Sequence, residues 1–182
     1  MQSALRWEDP IAGGNSQAPT DTDRARGGQW RLTILYAGVE LLVRGVINLE
    51  SGYVRSDILR GMIAHLSLPP CPLIASPKMT AKLDERWMAI AGEGEDPPLF
   101  QFLKLNDTGI RLFRGWLVEK QPITNWVDLF QLSQTLRHLT AHGALSASKV
   151  IQMKLDTTLD HLIDGLACVV EAILMRLMEP DV

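Results

Sequence analysis

The chain is short of most things that would give its function away by composition. Of its 182 residues only two are cysteines, Cys71 and Cys168. One falls in a proline-rich loop and the other in an apolar helical stretch, without metal-ligand spacing. They read as free thiols in a reducing compartment, not as a disulfide framework. Excess positive charge is lacking too. A net charge of −3 excludes a basic nucleic-acid coat and leaves any RNA contact to a local cluster of Arg and Lys. The N-terminus has no apolar run resembling a signal peptide. The most apolar stretches are cut by Glu40, Arg44, Asp164 and Glu171, so no membrane-spanning segment is expected. These absences point to a soluble, cytoplasmic protein. Alternating strand runs, hairpin turns between them and internal repeats are also missing.

What is present is helical periodicity in a chain of single-domain length, with 46% apolar residues. Residues 1–27, rich in Gly, Pro and Asp and without period, read as a disordered tail. From 29 to 50 the row Leu32, Leu35, Val39, Leu42, Val46, Leu49 predicts a first helix. Ile34, Leu41, Val43 and Ile47 widen its apolar face, and Glu40 can pair with Arg44. A shorter helix is expected over 54–66, carrying Ile58, Leu59 and Ile63. A loop follows over 67–78, where Pro69, Pro70, Pro72 and Pro77 block helix. Helical patterns then cover 79–91 and 98–119, separated by an acidic turn. Another runs from 123 to 142, and a last long one from 146 to 178 with the row Leu155, Leu159, Leu162, Leu166, Val170, Ile173, Leu177. The expectation is an all-α bundle of about five or six helices over 28–182.

Chemistry concentrates at one place. Gln134-Thr-Leu-Arg137-His138-Leu-Thr-Ala-His142-Gly143 closes the 123–142 helix, and Gly143 is a helix-ending residue. On a helical wheel Arg137 and His142 point roughly 140° apart. Within one regular helix they flank a surface. They converge only if the last turn unwinds or a second subunit supplies the opposite side.

Arg137-His138-Leu139-Thr140-Ala141-His142 resembles the signature of the HEPN superfamily (higher eukaryotes and prokaryotes nucleotide-binding). That signature is an Arg with a polar follower, then a His after four to six intervening residues. Here four intervene, and His138 stands where Asn is commoner. The resemblance covers about ten residues plus the helical plan. It implies an all-α, dimeric fold and, in many members, metal-independent endoribonuclease activity in toxins or defence effectors, with a possible antitoxin or operon partner. Other members are non-catalytic interaction modules. In one subfamily, paired with nucleotidyltransferase antitoxins, a Tyr stands two residues after the His. Ala144 occupies that position here, which argues against that pairing.

The residues permit this chemistry on their own account. RNA cleavage through the 2′-hydroxyl needs a base, an acid and positive charge at the phosphorane. An imidazole serves as acid or base near neutrality, and a guanidinium grips phosphate oxygens in a fork. The expected roles are Arg137 on the phosphate, His142 as acid/base and His138 assisting. Two subunits would supply two of each. No metal or other cofactor is expected. His138 and His142 have i, i+4 zinc-clip spacing, but further ligands are needed and only His161 offers itself. Arg111 and Arg114 could extend a phosphate surface. The bland alternative gives Arg137 a carboxylate partner such as Glu40 and makes His142 a helix-end residue favoured by the dipole. Joint exposure of Arg137 and His142 in one cleft favours catalysis; burial of Arg137 against a carboxylate, with His142 facing solvent, favours the structural role. A non-catalytic helical dimer that presents a groove to a partner remains open beside the nuclease.

Overall fold

A computed structural model describes residues 19–47, 56–78 and 107–178. Over these residues the protein is all-helical. In chain order the helices are α1 (Asp21–Val46), α2 (Ser56–Ala64), α3 (Asp107–Leu117), α4 (Trp126–Ala141), α5 (Ala147–Gln152) and α6 (Asp156–Met178). The patterns over 79–91 and 98–106, the acidic turn and residues 1–18 lie outside the described residues.

Helix α1 begins at Asp21, inside the stretch to residue 27 expected to be a disordered tail. The cause is a capping box. Thr20 Oγ1 accepts from the Asp23 amide at 3.2 Å, and Asp23 Oδ2 accepts from the Thr20 amide at 3.0 Å. Gly28 then lies inside the helix rather than breaking it. A Cβ there would sit 3.4 Å from Leu159 Cδ1, and the bare backbone lets α6 come close. Of the expected row Leu32, Leu35 and Val39 are buried, Leu42 is half-buried and Val46 is exposed; Val43 takes the next core position instead. Ile34 and Leu41 are not: they face outward, Leu41 at 64% exposure. The helix therefore buries a face, not its whole circumference.

The proline loop holds its place by pairing. Ile74 and Ile123 exchange both backbone hydrogen bonds at 3.0 Å, an isolated antiparallel bridge. Trp116 Nε1 donates to Ala75 O at 3.1 Å and Trp126 Nε1 to Pro69 O at 2.7 Å. Because Ile123 is committed to the bridge, α4 starts at Trp126, later than the pattern suggests. Asn125 caps it by accepting from the Asp128 amide at 2.9 Å.

The single helix expected over 146–178 is two. After α5 the chain turns through Lys154 at φ 52, with Lys154 N donating to Ile151 O and Leu155 N to Val150 O. The turn sends both Met153 and Leu155 into the core, which a continuous helix would place roughly 160° apart. Leu159, Leu162, Leu166, Val170 and Ile173 then follow into it, whereas Leu177 is exposed. A left-handed backbone costs a side-chain-bearing residue about 1 kcal/mol. Lys154→Gly is expected to raise unfolding free energy by about 0.5–1 kcal/mol in urea titration. A loss would show that the lysine side chain outweighs the strain.

α1, α4 and α6 pack against one another, α5 lies on α1, and α2 and α3 lie on α4. Their buried side chains form one core. Among the described residues no helix is long and apolar enough to cross a membrane.

Candidate functional site

Helix α4 remains regular through Ala141. Its last turn does not unwind, since the His142 amide still donates to His138 O at 3.0 Å. His142 is the C-cap (φ −93°, ψ 9°), and Gly143 follows in the left-handed region at φ +70°. The Gly143 amide donates to Thr140 O at 3.0 Å and the Leu145 amide to Leu139 O at 2.9 Å, closing the corner. A third strap comes from α1. Gln29 is buried, and its Nε2 donates to Leu145 O at 2.6 Å and to Thr140 Oγ1 at 3.2 Å.

Arg137 turns inward toward α1. Its Nη1 donates to Glu40 Oε2 at 3.2 Å, with side-chain exposures of 27% and 26% for Arg137 and Glu40. The guanidinium carbon lies 5.0 Å from the centre of the Tyr36 ring. That ring stacks on Phe130 of α4, centroids 4.9 Å apart. The Tyr36 hydroxyl is buried without a hydrogen-bond partner among the described residues, and burial pushes its pKa up. Glu40 is also raised: the loss of solvent outweighs the attraction of Arg137 and of Arg44. Its hydrogen bond goes to Arg137, and Arg44 acts on it through charge.

His138 is half-buried beside Arg137, and His142 is exposed at the helix end. Their rings are 6.2 Å apart and inclined by 23°, which is the i, i+4 neighbour relation. Burial lowers the His138 pKa, and the positive charge of Arg137 and the neighbouring His142 lower it further. His138 is expected to titrate below the ordinary imidazole value in an NMR pH series. The folded state binds this proton less readily than the unfolded chain. The stability contribution of the neutral ring is complete above about pH 6.5 and is lost as pH falls from there through the folded pKa. Glu40 has the opposite sign: its contribution is greatest below about pH 4.5 and declines as pH rises through its raised value. A His138 ring titrating at or above the ordinary value would contradict the half-buried placement.

His138 and His142 are ring neighbours, and His138 feels the charge of Arg137; Arg137 itself faces α1. Arg137 meets a carboxylate while His142 faces solvent, as a structural role would have it, yet a quarter of the Arg137 side chain stays exposed. Arg111 is exposed and Arg114 half-exposed on α3. His161 is exposed on α6, and no three His, Cys, Asp or Glu side chains gather as a metal set among the described residues. Cys71 and Cys168 are free, half-buried thiols. Periodicity did not single out Gln29 and Tyr36. The signal was their spacing: Gln29, Tyr36 and Glu40, seven and four residues apart, fall within about 40° on one face of α1. No protein-family model, curated protein or solved structure matches this chain.

Proposed function

We propose that the chain is a HEPN-like, metal-independent endoribonuclease that works as a homodimer. The observation that carries this reading is that Arg137, held by Glu40 and Tyr36 with a quarter of its side chain exposed, is followed on the same helix by His138 and His142, whose rings lie 6.2 Å apart. Glu40 accepts from one nitrogen of the guanidinium, and 27% of the Arg137 side chain is exposed; the nitrogens not bonded to Glu40 are the ones that would grip a phosphate. His142, exposed at the helix end, is the acid/base for the 2′-hydroxyl and the leaving oxygen. His138, with its lowered pKa, is neutral at pH 7 and assists as acceptor. One chain offers one guanidinium, and a two-fold pair would offer two with both imidazole sets. An apolar stripe on α1 supports pairing. Trp30 at 62%, Ile34 at 40% and Leu41 at 64% exposure lie about 120° around the helix from the Gln29–Glu40 row.

The Arg137–Glu40 pair itself favours a second reading: a non-catalytic helical dimerisation or regulatory module that keeps the motif to lock α4 to α1. One assay separates the two. Purified protein is incubated with mixed RNA in EDTA, and the cut ends are tested for 2′,3′-cyclic phosphate. Cleavage that ends in cyclic phosphate and survives EDTA supports the nuclease. No cleavage, or cleavage that needs metal, removes it.

A further inference from the structure

We infer that Gln29 is a positioning residue of this site, and that α1 sets the geometry at both ends of the Arg–His motif. The inference rests on the nuclease reading for its catalytic consequence, though not for its structural one. Its basis is a pair of clamps on one helix. Glu40 holds Arg137, the first residue of the motif, at 3.2 Å. Gln29 holds the corner just beyond His142, through Leu145 O at 2.6 Å and Thr140 Oγ1 at 3.2 Å. Eleven residues separate the two clamps, almost a whole number of helical turns, so both emerge from the same face of α1. Gln29 is only 5% exposed, and a buried amide that lost these acceptors would have no water to replace them. Its own carbonyl accepts from Thr33 Oγ1 at 2.9 Å, which steadies the backbone from which it reaches.

Lys149 Nζ also holds the corner, donating to Ala144 O at 2.6 Å, but that bond stays between α4 and α5, whereas Gln29 ties the corner to α1. The C-cap His142 and Gly143 are exposed, and Gly143 has nothing within 4 Å of where a Cβ would stand. The backbone that carries His142 is held to the bundle by Gln29 and the buried Leu145. Small displacements of an acid/base group cost turnover more than binding.

The test compares wild-type protein with Gln29→Leu and with Ile173→Val, the latter serving as a core control away from the corner. Amide exchange at Gly143 and Leu145 is expected to accelerate at least tenfold in Gln29→Leu and not in Ile173→Val. On RNA, kcat should fall at least tenfold in Gln29→Leu with KM little changed. Unchanged exchange at the corner overturns the inference. So does a kcat loss no larger than in Ile173→Val once both are compared at equal fraction folded. If wild-type protein cleaves no RNA, it is the nuclease reading that falls, and exchange at the corner alone then decides for or against the clamp.

Discussion

His142→Ala is expected to lower RNA cleavage in EDTA by about 10²–10⁴-fold, the range for removal of a general acid or base. Arg137→Ala is expected to lower it by about 10²–10³-fold, as for loss of one charge-stabilising donor. The two substitutions differ in their effect on the fold. His142 is exposed at the helix end, so its removal should leave stability within about 0.5 kcal/mol of wild type. Arg137 shares a half-exposed ion pair with Glu40 and covers the Tyr36 ring. Its loss should cost about 1–2 kcal/mol, between the limits for exposed and fully buried pairs. Glu40→Gln keeps a hydrogen-bond acceptor and removes the charge. On the nuclease reading it lowers turnover by loosening Arg137. On the scaffold reading it changes only stability, and a cycle with Arg137→Ala gives the coupling. Undiminished cleavage in His142→Ala would end the catalytic assignment. Loss of cleavage in Arg137→Ala alone, matched by its loss of folded protein, would leave Arg137 a structural residue.

Leu129→Ala is expected to cost about 2–5 kcal/mol, and Gly165→Ala to change sign with its background. Leu129 is fully buried on α4 and fills the notch left by Gly165 on α6. A Cβ at position 165 would stand 2.9 Å from Leu129 Cδ2 and 3.0 Å from Cδ1, with Trp126 Cζ3 at 3.4 Å. Leu129 is fully buried, so displacing its Cδ atoms disturbs the core around them, and overpacking should cost about 1–3 kcal/mol. Replacing a mid-helix glycine by alanine returns about 1 kcal/mol. In the wild-type background the clash is expected to win or balance. In the Leu129→Ala background the clash is gone and the added methyl fills part of the cavity, so Gly165→Ala should stabilise by about 1 kcal/mol. Urea unfolding of the four proteins measures this directly. Strict additivity would show that the two helices do not touch at this notch.

Much of the bundle is written in local pattern. The rows through Leu32–Val39 and Leu155–Ile173 place the cores of α1 and α6 because 3.6-residue periodicity needs no knowledge of neighbours. The end of α4 is written in Gly143, and the start of α1 in the Thr20–Asp23 box, which Gly27 and Gly28 obscure. The option of a Glu40 partner for Arg137 was also open to the sequence, as complementary charge. Other features were decided only when the helices met. The apolar row from 146 to 178 has no residue that demands a stop. The chain turns at Lys154 because Met153 and Leu155 must both reach one core. A helical wheel sets Arg137 and His142 roughly 140° apart, but it cannot say which of the two faces α1. The placement of α1 across α4 gives that side to Arg137, lays Tyr36 under it, and turns Gln29 from an ordinary polar residue into a strap on the corner that carries His142. The physical reason is range: periodicity and capping act within a few residues, whereas Gln29 and Leu145 are 116 residues apart and meet only through the packed core.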